Sequence, residues 1–183
     1  MGVLILHGLA NHRPPRHWQF QLAAALAAEG VDVAYPSLPD ADDPKPEAWQ
    51  SAILAALDEL PGRPDVIAHS LGTHAWLALG PAIAERVGRV LLVAPPAQSI
   101  LDDVAPAFPR LEPFTAPAGW ELWASDADDY NPEGAAVTHG EPFGLPVRTF
   151  PGGGHLALDD GYGPWTAPLE WARAASQSIA AAA

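Results

Sequence analysis

The segment Ala68-His69-Ser70-Leu71-Gly72 sets a serine between an apolar run and a helix-forming stretch, with a small residue two positions to either side. A serine on so tight a strand-to-helix turn can act as a nucleophile. The turn exposes its hydroxyl, the helix N-terminus faces it, and the Leu71 N–H is open to a developing oxyanion. Acyl transfer is the chemistry this suits. Alanine in place of the usual first glycine keeps the side chain small while restricting the backbone. Serine is also a preferred helix N-cap, so the same five residues fit a purely structural role. What separates the two readings is whether a base, an acid and a second oxyanion donor stand at other strand ends.

A serine hydroxyl needs a base, and imidazole titrates near pH 6.5, where it can take the proton under neutral conditions. Of seven histidines, His155 in "FPGGGHLALDD" directly follows a candidate strand on a glycine-rich loop. His69 adjoins the serine but its side chain should point away, and His74 lies one turn into the next helix. His7, His12 and His17 surround the first loop, and His139 is expected at the surface. The acid that orients the base comes from "WELWASDADDYNP", which offers Asp126, Asp128 and Asp129. Spacing does not choose among them. Asp159 and Asp160 follow His155 too closely to orient its ring. The turn "LILHGLANHRPP" supplies the second oxyanion donor, the amide of Leu9 or, second to it, that of Ala10.

These residues need a scaffold that ends several strands along one rim. Val3 to Leu6 is a short branched apolar run, Val31 to Tyr35 is the next strand candidate, and between them residues 16–29 carry Trp18, Leu22, Ala25 and Leu26 at helical spacing. The segment "PEAWQSAILAALDEL" forms a second helix with Pro46 in its first turn. Val66 to Ala68 is the strand before Ser70, and a helix over residues 71–86 follows it. "VGRVLLVAP", Trp120 to Ala124 and Val147 to Phe150 are further strands, and residues 165–180 form the last helix. Strands alternating with helices predict βαβ units: a doubly wound, mostly parallel α/β sheet with helices on both faces, in one domain. Ligands of such sheets sit beyond the strands' carboxyl ends. Serine, aspartate and histidine each follow a different strand, in the chain order of the α/β-hydrolases.

At these residues the chain resembles the small serine hydrolases typified by retinoblastoma-binding protein nine and YdeN. The resemblance spans nearly the whole sequence and rests on "LILHG" with "HWQ", "YPSLPDADDPKPEAW", "VIAHSLG", "ASDADDYNP" and "GGGHL". It implies a compact α/β-hydrolase without a lid. It also implies that Asp128 is the acid, since the family's acid precedes a proline; Asp129 stands in the proline's place here, which keeps Asp126 and Asp129 as alternatives.

The expected activity is hydrolysis of a carboxylic ester or amide through Ser70, His155 and Asp128, with an oxyanion hole from the Leu9 and Leu71 amides. The competing reading is an inactive protein-binding module that keeps the serine turn, with a protein partner or a second copy as its ligand. His7, Trp18 and Trp165 are expected to border the substrate in a shallow pocket, the other tryptophans to fill the core. No cofactor is expected, and no metal, for the histidines lack His-Glu-x-x-His spacing. A formal charge of -13 with a single lysine, Lys45, argues against nucleic acid and anionic membrane surfaces. No cysteine is present, so disulfides and thiolate chemistry are excluded. "MGVLIL" lacks the basic flank of a signal peptide and no run is long enough to span a bilayer, so the expected location is the cytoplasm.

Overall fold

The computed structural model describes residues 2–181, with side chains described as far as residue 174. Six strands form one parallel sheet: β1 Gly2–Leu6, β2 Asp32–Ala34, β3 Asp65–His69, β4 Val90–Val93, β5 Trp120–Ser125 and β6 Val147–Phe150, in the order β2-β1-β3-β4-β5-β6. Register is set along the centre by Leu4 opposite Val66, Val66 opposite Val90, and Val90 opposite Trp120. Helices α1 Trp18–Ala28, α2 Pro46–Asp58, α3 Leu71–Leu77, α4 Gln98–Val104, α5 Glu141–Phe143 and α6 Ala167–Ala181 connect or follow them.

The central strands β1, β3 and β4 are buried along their whole length because both faces of the sheet are covered there, whereas the edge strands β2 and β6 are partly exposed. Strand periodicity then sorts the side chains. Leu4, Leu6, Val66, Ala68 and Leu92 face a core with Trp49 and Ile53 of α2 and Trp76 of α3. Val3, Ile5, Ile67, Leu91 and Val93 face the other, with Trp18, Leu22 and Leu26 of α1 and Trp171 of α6. Fully burying an aromatic or branched side chain contributes about 1.5–3 kcal/mol, and Trp18, Trp49, Trp76, Trp120 and Trp123 are wholly enclosed or nearly so.

The helical elements differ from the sequence-based expectation in three places, one of them the short turn Ala136–Gly140 with α5 Glu141–Phe143, which the sequence pattern does not show. The helix after Ser70 stops at Leu77, and a 3₁₀ segment, Pro81–Arg86, follows Gly80. Gly80 sits at φ 76°, a conformation that ends an α-helix, and Pro81 has no N–H with which to continue one. Helix α4 has no counterpart in the sequence pattern. Its seven residues lie between Pro95-Pro96 and Pro106, too few turns to show a convincing period, yet Ile100, Leu101 and Val104 do share the i, i+1, i+4 spacing of one face.

The strand order reverses between β1 and β3, since β1 leads outward to β2 and β3 leads the other way to β4. Such a switch point opens a crevice beyond the strand ends. Ser70 and the loop after β1 meet there.

Candidate active site

Ser70 follows β3 and precedes α3 with φ 55° and ψ -131°, a region costly for any residue with a side chain. Neighbouring bonds hold it there. Its N–H donates to the Val93 carbonyl at 2.9 Å, and its carbonyl accepts from the Thr73 N–H at 2.9 Å and the Thr73 hydroxyl at 2.6 Å. The strain is tolerated because the backbone is bonded at both ends, and the result is a hydroxyl lifted off the sheet. No side-chain bond caps α3. The capping role that serine chemistry allowed is therefore not the one it plays.

Close approach explains the two flanking glycines. A Cβ on Gly72 would lie 2.6 Å from the His7 carbonyl and 3.0 Å from that of Leu6, so α3 can pass over the end of β1 only with glycine there. A Cβ on Gly8 would lie 2.6 Å from Ser70 Cβ and 2.9 Å from its Oγ. Glycine thus lets the β1 loop reach the serine.

His155, on the loop after β6, brings Nε2 to 2.8 Å from Ser70 Oγ. Its Nδ1 lies 2.9 and 3.0 Å from the two carboxylate oxygens of Asp128. A carboxylate only accepts, so Nδ1 carries the proton and Nε2 offers a lone pair to the serine. Asp128 is buried, and its Oδ1 also accepts from the Tyr130 N–H at 2.9 Å. The Tyr130 ring packs on His155 with centroids 4.4 Å apart.

The other acidic candidates have separate tasks. Asp126 accepts from the Gly152 N–H at 2.7 Å, at the start of the histidine loop. Asp160 accepts from the backbone N–H groups of His155 at 3.0 Å and Ala157 at 3.2 Å. Asp129 is exposed and lines the cavity.

Among the described residues, the N–H groups of Leu9 and Leu71 donate to no protein acceptor, whereas the Ala10 N–H donates to the Ala41 carbonyl at 2.7 Å. The Leu71 amide is free because it opens a helix. The Leu9 peptide is turned by His7. The Leu38 N–H donates to His7 Nε2 at 3.0 Å, which leaves Nδ1 as the protonated nitrogen, bonded to the Gly8 carbonyl at 2.9 Å. That carbonyl and the Leu9 N–H belong to one trans peptide and point opposite ways.

A cavity of ≈ 660 Å³ opens over these groups, within the size range of small-molecule sites. Leu9, Ile100, Leu101 and Val104 supply apolar wall; His12, His17, Asp129, Asp159 and Asp160 supply polar wall. Among the described residues no group of three or more histidine and acidic side chains converges as a metal site requires.

Three expected substrate contacts lie elsewhere. His7 is fully buried behind the Gly8 turn, edge-on to Trp49 with centroids 5.6 Å apart, because both its nitrogens are committed to backbone. Trp18 is fully buried beneath the site, and Trp165 is packed against it in the second core with centroids 5.3 Å apart. Neither tryptophan lines the cavity; large aromatic surface is better buried than wetted. His139, expected at the surface, is buried beside Thr138, whose hydroxyl lies 2.9 Å from its Nδ1. Tyr130 and His17 are cavity residues that sequence reasoning missed or left undecided. Tyr130 sits two residues beyond Asp128, within reach of any group that Asp128 orients.

Burial lowers the ionisation of every enclosed histidine. His17 is depressed to about 4 by loss of solvent and by the neighbouring His7 and His155, and His139 to about 3 by loss of solvent and by His74. His7 and His74 are lowered mainly by burial, and His69 well below its usual value by burial and then by His155.

Among the described residues no helix is long and apolar enough to cross a membrane. Among solved structures, a protein described as a YdeN-like hydrolase from Pectobacterium atrosepticum superposes with a TM-score of 0.75 at 20% identity, covering 92% of this chain and 86% of its own. The ydeN gene product of B. subtilis gives 0.72 at 20% identity, covering 96% and 97%. Est1E from Butyrivibrio proteoclasticus gives 0.65 at 16% identity, covering 98% and 88%. At such identities these likenesses establish the α/β-hydrolase fold. No curated protein matches the sequence. Residues 3–172 match the model of a family described as serine hydrolase, and with nearly the whole chain spanned, this protein belongs to the serine hydrolase family.

Proposed function

We propose that the protein hydrolyses carboxylic esters, and more slowly amides, through an acyl-enzyme formed on Ser70. The observation that carries the reading is His155 standing between Ser70 Oγ at 2.8 Å and the Asp128 carboxylate at 2.9 Å. As Ser70 attacks the carbonyl carbon, His155 Nε2 takes the hydroxyl proton, and Asp128 stabilises the imidazolium that results. The amides of Leu9 and Leu71 receive the negative charge on the carbonyl oxygen. The imidazolium then gives its proton to the departing alkoxide. In the second half, His155 takes a proton from water as the oxygen attacks the acyl carbon, and returns it to Ser70 as the acid leaves.

The apolar wall from Leu9 and α4 supports an aliphatic or aromatic acyl group, and the cavity size supports a small molecule rather than a folded protein. A neighbour of the same fold, Est1E, has been solved with ferulic acid bound. The test is labelling with a fluorophosphonate alongside hydrolysis of short p-nitrophenyl esters. Ser70 should be the labelled residue, and Ser70→Ala should lower kcat/KM by at least ~10³-fold with the fold intact. A folded protein that neither labels nor hydrolyses would favour the protein-binding reading.

A further inference from the structure

The motif His17-Trp18-Gln19 contributes to the sequence resemblance, but the proposed chemistry assigns Trp18 nothing. The indole N–H of Trp18 donates to the Leu156 carbonyl at 3.0 Å, across 138 residues of chain. One residue earlier, the His155 carbonyl lies 3.0 Å from His69 Nε2. A carbonyl only accepts, so His69 carries its proton on Nε2, and its ring packs edge-on to Trp18 with centroids 5.6 Å apart. Two consecutive carbonyls of the loop bearing the base are thus held by two adjoining ring donors, while the Asp160 carboxylate accepts from the His155 N–H.

The loop needs outside support. Gly152 and Gly154 have positive φ, at 65° and 58°, and Leu156 is held at φ 52°, where a residue with a side chain is strained. Leu156 is fully buried, so water cannot replace a missing donor at its carbonyl. Gln19, next in the motif, donates from Nε2 to the Leu6 carbonyl at 2.8 Å, fixing the same helix to the strand that carries the Leu9 turn.

We infer that Trp18 and His69 are positioning residues that hold the His155–Leu156 backbone so that the imidazole reaches Ser70. This rests on the proposed role of His155 as base. A shift of about 1 Å in a reacting group can cost on the order of 10²-fold in rate, so the anchors should be visible in kcat.

The experiment compares Trp18→Phe, which removes the indole N–H while keeping an aromatic ring, with the pair His69→Gln and His69→Leu, of which only the first keeps a donor. Trp18→Phe should lower kcat for a short p-nitrophenyl ester roughly 10- to 100-fold with KM little changed. It should also shift or broaden the low-field proton resonance of the His155 Nδ1–H bonded to Asp128. His69→Gln should retain clearly more activity than His69→Leu. Unchanged kcat and an unchanged resonance in Trp18→Phe, or equal activity in the two His69 variants, would overturn the inference. Should Trp18→Phe fail to fold, the His69 pair decides. The resonance is read on unreacted protein. An inert wild-type serine therefore counts against the proposed function, while an unmoved resonance counts against the anchors.

Discussion

At the scale of single residues, each chemical group has one partner that sets its state. Asp128 fixes the His155 tautomer, and Asp128→Asn would present an amide that can rotate its N–H₂ toward Nδ1 and favour the wrong one. The expected loss is on the order of 10⁴-fold in kcat, measured beside circular dichroism to show an intact fold. Gly8→Ala tests a different requirement. Gly8 has no left-handed φ, so the backbone accepts alanine, but the added Cβ would stand 2.6 Å from Ser70 Cβ. Hydrolysis should fall more than 10-fold while the melting temperature moves only a few degrees, checked by initial rates and calorimetry. The serine's role, ambiguous in the sequence, is settled against capping by its own dihedrals and by the absence of a side-chain bond to α3.

Among elements, the close crossing of α3 over β1 is the contact on which the site geometry depends. Gly72→Ala would drive a Cβ to 2.6 Å from the His7 carbonyl, and backbone cannot swing aside as a side chain can. Overpacking of this kind costs about 1–3 kcal/mol, so the denaturant midpoint should fall, with activity reduced because the same shift displaces Ser70. The strands and the two longest inner helices were legible in advance because their periods are long and both sheet faces demand apolar side chains. Helix α4 is too short to show a period, and helical spacing continues past Gly80-Pro81 to residue 86 although the α-helix after Ser70 ends nine residues earlier, at Leu77.

For the whole molecule, buried histidines link stability to acid. His7, His17, His69, His74 and His139 all have lowered pKa values in the folded state. Below the unfolded value near 6.5 the unfolded chain binds protons that the folded chain refuses, so stability is full above that value and declines as pH falls toward about 4 for His17 and about 3 for His139. Each suppressed histidine adds to this loss as pH falls below its unfolded value. Denaturant melts at pH 7 and pH 5 should show the midpoint dropping, and the drop should shrink in His139→Gln. Charge acts at the same scale. Asp129, Asp159 and Asp160 line the cavity and, among the described residues, no lysine or arginine does, in a chain of formal charge -13. A succinate half-ester should therefore show a lower kcat/KM than the matching neutral butyrate, with the gap narrowing in salt.

The sequence by itself determined the parallel α/β scaffold and the strand ends where Ser70, His155 and an aspartate would stand, since strand periodicity and turn residues are local properties. Only the tertiary structure decided which of three adjacent aspartates meets the imidazole, which loop amide is left without a partner, and that His7 and Trp18 support the site from behind instead of facing substrate. Those outcomes depend on the direction of side chains and peptide planes brought together from distant parts of the chain, and no local pattern encodes a direction in space.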